Sequence, residues 1–230
     1  MKKSDILFSV CVILFFLPFF TCDFVYDWYK TFNAEHGVIM SFLKFAILST
    51  TGEMIGMRIT TGKYITKTFG VFPRMIVWGV LGVVISMAMT IFSSGVPVYL
   101  EKLGIEGATT ILAGDLCFAK VMVALAISVA MNSIFAPVFM TFHKITDAHI
   151  LSMNGSAKAL ITPIPVGKII SELNWKTQWG FVFKKTIPLF WYPAHTITFL
   201  LPKDVQVLFA ALLGVALGVL LAVAAVRSRK

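Results

Sequence analysis

Charge is the scarcest property of this chain. Only 13% of its 230 residues are charged, about half the usage of a soluble domain. Acids are rarer than bases, 11 against 20, for a net charge of +9. So little charge excludes both an ordinary soluble domain and a solvated, disordered one. Cysteine is nearly absent as well: Cys11, Cys22 and Cys117 make an odd count with no C-x-x-C pair. That excludes a disulfide framework or a zinc ribbon and predicts free thiols, with a Cys22–Cys117 bridge between two outer loops as the alternative. There is no nucleophile elbow, no phosphate-binding glycine loop, no His-Glu-x-x-His and no paired-acid motif. No enzyme is read from the sequence, and no cofactor or metal is called for.

What is present is apolar length: hydrophobic residues make up 58% of the chain. The runs are long enough to predict an all-α, polytopic transmembrane helical bundle, a single integral membrane domain over 1–230. About six spans are expected, at 6–22, 38–57, 75–92, 116–142, 183–201 and 205–226, with a long basic loop at 143–182. The last is the plainest. Val205 to Val226 carries no charge, and at about 1.5 Å per residue it crosses a hydrocarbon core of roughly 30 Å. The first run, Ile6 to Cys22, also fits the apolar core of a signal peptide. It lacks a small-x-small exit, so a retained span is expected. Asp23 to Gly37 reads as a short acidic-leaning loop with interfacial Tyr26, Trp28 and Tyr29. Ser93 to Asp115 reads as a second loop, punctuated by glycine and proline, and Val166 to Leu173 as a short surface helix. The fifth span is the weak one, because it is short and holds Pro188 and Pro193.

The basic residues choose an orientation. With both termini on the cytoplasmic side, fifteen Lys and Arg fall inside: Lys2, Lys3, Arg58, Lys63, Lys67, Arg74, the six lysines of the connection from His143 to Lys185 (the last two at the entry of the fifth span), Arg227, Arg229 and Lys230. Only Lys30, Lys102 and Lys203 fall outside, while Lys44 and Lys120 lie within spans. This split follows the positive-inside rule, so the positive charge needs no nucleic-acid partner. The partners expected are the lipid bilayer and a small solute. A bacterial inner membrane suits the Met-Lys-Lys start, with an organelle inner membrane as the alternative; there is no Arg-rich, Ser-rich, acid-poor presequence.

Small residues mark where helices approach closely. Gly52 and Gly56 form one G-xxx-G pair and Gly214 and Gly218 another, the second within the ridge Ala210, Gly214, Gly218, Ala222. Packing inside one protomer is the expectation, and a homo-oligomer seam the alternative.

Glu53 is the most informative polar residue. A carboxylate within an apolar run faces a wet pathway, or pairs with a cation such as Arg58, Lys44 or Lys120. Asn132 and Ser133 could line the same pathway or bond between helices. Pro137 is expected to kink their helix, and Pro193 the fifth span. His195 suits a cavity or an interhelical hydrogen bond. His143, Asp147 and His149 are compatible with a metal, yet no further ligand is adjacent, so no metal site is read.

These residues carry a resemblance. Trp191-Tyr192-Pro193 with Phe199 and Pro202, Gly52-Glu53, Asn132 before Pro137, and Arg74 with Gly79 and Gly82 resemble motifs of the Mpv-seventeen / 22 kDa peroxisomal membrane protein family, which has bacterial members. Phe42 to Val226 is covered. Tyr192 is an extra residue within the Trp-Pro motif, Met131 stands where the family has an acid, and Ile6 to Cys22 is additional to the usual four spans. The resemblance implies a small-solute pore or carrier of weak selectivity, with Glu53, Asn132, Ser133 and His195 as candidate pore-lining residues. A non-transporting membrane scaffold or assembly factor is the alternative.

Overall fold

The computed structural model describes residues 2–227. Met1 and Ser228 lie outside the described residues, as do Arg229 and Lys230, counted above among the inner charges. The described residues are helical, with no strand among them. The chain divides into two compact units, Met1–Met40 and Ser41–Lys230.

The first unit holds α1 (Lys3–Phe16), α2 (Pro18–Thr21) and α3 (Asp23–Glu35). The expected first span is interrupted where Pro18 brings no amide hydrogen, although Leu17 keeps helical torsions of −52° and −44°. By itself α1 covers about 21 Å, short of a bilayer core. The expected loop after Asp23 is instead a helix. Val25, Trp28, Tyr29 and Phe32 recur at helical spacing, opposite Asp27 and Lys30, whose ion pair is 2.9 Å long. Trp28 stacks on Phe32 at 5.2 Å. An amphipathic segment this rich in aromatics is built for a membrane interface.

The second unit contains the helices long and apolar enough to cross a membrane. The four in the described chain are α4 (Gly37–Thr61), α5 (Val71–Lys102), α6 (Phe118–Ser152) and α10 (Lys203–Arg227), with mean hydropathies of 1.4, 2.3, 2.0 and 2.8. Large apolar side chains such as Val80, Ile91, Ile134, Val138 and Leu220 stay exposed on them. That is the expected surface toward lipid, because lipid tails solvate leucine and valine as well as a core does.

Several expected boundaries are corrected. The loop at 93–115 begins only after Lys102, because α5 continues through Gly95 and Pro97. An apolar helix in lipid keeps its backbone bonds even across a proline, since water offers no replacement. The basic loop expected from 143 begins ten residues later, because α6 continues to Ser152. It is stopped by Asn154 and Gly155, at φ 52° and 70°, with the Gly155 amide bonded to the Ile150 carbonyl at 2.9 Å. Pro137 lies inside α6 and does not end it. The short surface helix is present as α7 (Val166–Glu172), followed by α8 (Trp175–Thr177). Arg74, expected in a loop, sits in the first turn of α5 and is buried.

The weak fifth span takes an unusual form. Gln178–Trp191 is π-helical and runs directly into α9 (Tyr192–Leu200). The Tyr192 amide bonds to the Ile187 carbonyl and the Thr186 hydroxyl to that of Phe181, both five residues back. Pro188 removes an ordinary helical bond, and the wider turn keeps the segment helical around it; Pro193 lies in the first turn of α9, where a proline is tolerated. This segment is not among the four long apolar helices, although α9 packs closely on α6.

Two close approaches set the register. A Cβ on Gly82 would stand 2.5 Å from the Cβ of Phe45, and one on Gly79 would overlap the Phe42 ring. The bare glycine faces of α5 therefore seat two phenylalanines of α4. Between the loops that precede α5 and follow α6, Gly70 (φ 66°) meets Gly155 so closely that a Cβ would lie 2.7 Å from its Cα. This contact ties the start of α5 to the end of α6.

Candidate functional site

Glu53 projects from α4 toward the start of α5 and the last third of α6. Its partner is none of the cations expected. One guanidinium nitrogen of Arg74 bridges Glu53 and Asp147, joining α4, α5 and α6 in one ionic contact. The Trp78 indole donates to Glu53 Oε1 at 3.0 Å, and His143 Nε2 meets the same oxygen at 3.2 Å. His143 also lies 3.7 Å from Asp147, one turn along α6, and its ring packs on Trp78 at 4.4 Å. Arg74 is fixed from behind: its Nε donates to the Phe69 carbonyl at 2.7 Å and its guanidinium lies over the Phe69 ring at 4.7 Å. The other cations are engaged elsewhere. Lys44 interacts with Asp204, Arg58 lies over the Tyr64 ring at 5.7 Å, and Lys120 donates to the Gly114 carbonyl at 2.7 Å.

Glu53, His143 and Asp147 hold ligand-type atoms within 4.8 Å of one another, a spacing that a metal ion could use. Arg74 already bridges both carboxylates and stands in the cation's place. His149 does not join them; it is buried with Nε2 3.2 Å from the Ala159 carbonyl.

The ionic network borders a cavity of about 540 Å³ inside the second unit. On α4 the lining runs from Phe45 to Thr61, and on α6 from Met131 to Asp147. Each stretch corresponds to about 24 Å along a helix, most of a hydrocarbon core. Phe69, α5 through Arg74, Trp78 and Ile85, the π-helical segment, α9 and α10 supply the remaining wall. Gly52, Gly56, Gly214 and Gly218 all border it. A Cβ on Gly52 would stand 3.0 Å from the Cα of Val215, and one on Gly218 would stand 3.8 Å from the Gly52 carbonyl oxygen. The two glycine pairs thus pack against each other within one protomer.

Of the candidate pore-lining residues, Glu53, Asn132 and His195 border this cavity at different depths. Asn132 lies eleven residues before the Glu53 partner His143, about 16 Å along α6. Its amide donates to the Ser128 carbonyl at 2.8 Å, and the Ser128 hydroxyl donates to the Tyr192 carbonyl at 2.8 Å. These bonds hold the Trp-Tyr-Pro junction against α6. Ser133 is exposed and does not border the cavity; its hydroxyl pairs with the Tyr192 hydroxyl at 2.6 Å. Pro193 opens the first turn of α9.

Sequence reasoning missed Arg74, Trp78 and the joining of His143 and Asp147 to Glu53. One signal was available: Arg74 is the first basic residue of the next helix across a short connection, where antiparallel neighbours meet. It also missed a set of polar atoms on the same cavity wall. Ser49 Oγ, Gln178 Nε2, Trp191 Nε1 and His195 Nδ1 are buried without a hydrogen-bond partner in the chain. The Trp191 and His195 rings stack at 5.1 Å and 15°.

No protein-family profile, curated protein or solved structure matches this chain.

Proposed function

We propose that this chain is an integral membrane pore or carrier for a small solute, of the Mpv-seventeen type, and that Glu53 stands on its path. The observation that carries this reading is the cavity extending beside α4 and α6 for about 24 Å, mostly apolar in its lining and bordered at one end by the ionic network. Residues bordering this space hold buried polar atoms with no partner in the chain, which are costly in a protein that only holds its helices together. The ionic network and the stacked Trp191 and His195 both border the space, which favours a selective passage over a wide pore.

The proposal includes six crossings with both termini on the cytoplasmic side of a bacterial inner membrane. The two further crossings would use the helical backbone from Lys3 to Thr21 and from Gln178 to Leu200, and the distribution of Lys and Arg supports the orientation. Cysteine accessibility at the loops tests this topology.

The function is tested by solute efflux and single-channel recording on purified protein in liposomes, wild type against Glu53→Gln. Altered flux or ion selectivity with the fold retained is expected. A silent bilayer with folded wild-type protein would discard the transport reading in favour of a scaffold or assembly factor. Flux identical in the two proteins would remove Glu53 from the path.

A further inference from the structure

The cavity is closed at one end and open at the other. Phe45, Ile85, Met131, His195 and Ala210 line one end, and all are buried. Thr61, Lys144 and Leu221 line the other, and they are the exposed residues of the wall. From Lys144 to Met131 the depth along α6 is about 20 Å. A hydrocarbon core of roughly 30 Å is two lipid chains thick, so one chain reaches about 15 Å. The cavity thus has the depth of a lipid chain and, at about 540 Å³, room for one small ligand.

The surface within is mostly carbon. Phe135 and Phe139 continue the wall of α6 from Met131 toward His143. The unpartnered polar atoms of Ser49, Trp191 and His195 are buried behind that surface, and the Asn132 amide is held by the Ser128 carbonyl. An alkyl chain displaces no hydrogen bond from such a wall, whereas a polar solute finds none to make.

The open end has free positive charge. The acids near it, Glu53 and Asp147, are bridged by Arg74 and touched by His143. Among the described residues, the Lys144 ammonium has no ion-pair or hydrogen-bond partner. Thr61 and Phe69 both line the cavity, and the connection between them carries exposed Lys63 and Lys67 and no acid. Lysines gathered at the opening of a low-dielectric cavity attract an anion.

We infer that this cavity holds one anionic single-chain amphiphile, a long-chain fatty acid or a lysophospholipid. The chain lies along Phe139, Phe135 and Met131, and the head group stays at Lys144. The inference names the substrate class of the cavity on which the transport reading stands. It rests on that reading for the purpose of binding, but binding is tested without flux.

The test is equilibrium binding of radiolabelled palmitate to the full chain in phosphatidylcholine nanodiscs, with empty discs subtracted; detergent is avoided because it would compete. One saturable site per chain is expected. Lysophosphatidylglycerol with the same chain should displace palmitate, and the tighter of the two names the source of the head group. Hexadecyltrimethylammonium should displace it about fivefold less well, the worth of one partly screened charge. Hexanoate, which has the charge and little chain, should be weaker by more than about a hundredfold. Lys144→Glu should weaken palmitate about fivefold and leave hexadecanol unchanged. Ala210→Leu, which fills the closed end, should shift the preference to shorter chains. No saturable binding above empty discs, equal displacement by the cationic amphiphile, or displacement by two-chain dipalmitoylphosphatidylglycerol as effective as by the lyso form would each overturn the inference. If Ala210→Leu fails to fold, the wild-type ranking and Lys144→Glu still decide. Saturable palmitate binding by a protein that passes no solute in liposomes would sink the transport reading and keep the site. Solute flux without palmitate binding would do the reverse.

Discussion

The two parts of the cavity wall are built on opposite principles. Around Glu53 each charged group has a partner: Arg74 bridges two acids, Trp78 and His143 add bonds to Glu53, and the Phe69 carbonyl holds Arg74. Along Ser49, Trp191 and His195, buried polar atoms have no partner in the chain. A satisfied network fixes three helices in one arrangement, because removing any member strands the others in low dielectric. The Ser49, Trp191 and His195 atoms make no such bonds and fix little. The first region is thus a fastening, the second a set of polar atoms buried without one.

That contrast is broken most directly at Arg74. Arg74→Met leaves Glu53 and Asp147 side by side with no guanidinium between them. The expected loss is about 3–5 kcal/mol, the range for breaking a buried pair, read from equilibrium unfolding in detergent. A loss as small as that of an exposed salt bridge would show that the network does not hold the helices. A smaller effect is expected from Asp147→Asn, which removes one acid from Arg74 and leaves Glu53 paired with it. It should cost about 1–2 kcal/mol in the same measurement, and a cost equal to that of Arg74→Met would show that Asp147 is as central to the network as the guanidinium. The smallest effect belongs to the other wall. Ser49→Ala removes no hydrogen bond within the chain, so unfolding should change by no more than about 0.5 kcal/mol. A loss several times larger would mean that Ser49 has a structural partner after all, and the contrast would fail.

The legible part of the site was a single residue. Glu53 stood out because a carboxylate in an apolar run demands an explanation. Its partners did not stand out, since Arg74 and Asp147 lay in stretches that polarity assigned to loops. Both are helical because α5 starts early and α6 ends late, and neither boundary has a strong signal: Gly70 precedes the first, and Asn154-Gly155 closes the second beyond a polar stretch. Ser133 shows the converse. It is adjacent to Asn132 in sequence but about 100° away around the helix, and it pairs with the Tyr192 hydroxyl outside the cavity.

Class was determined by the sequence alone: long apolar runs with little charge leave a helical membrane protein as the physical solution, because only internal hydrogen bonds can satisfy a backbone in lipid. It also determined the close-packing glycines, whose missing side chains are visible in any register. The tertiary structure decided which ends of those helices meet. Glu53, Arg74, His143 and Asp147 come from three helices and lie far apart in the chain, and their contact depends on helix register set by Gly79 and Gly82 against Phe42 and Phe45. It also decided that Pro188 would be absorbed in a wide helical turn, and that Pro193 would open the next helix, instead of making a break. Periodicity cannot reveal such a turn, because its residues per turn change only when neighbouring helices hold it in place.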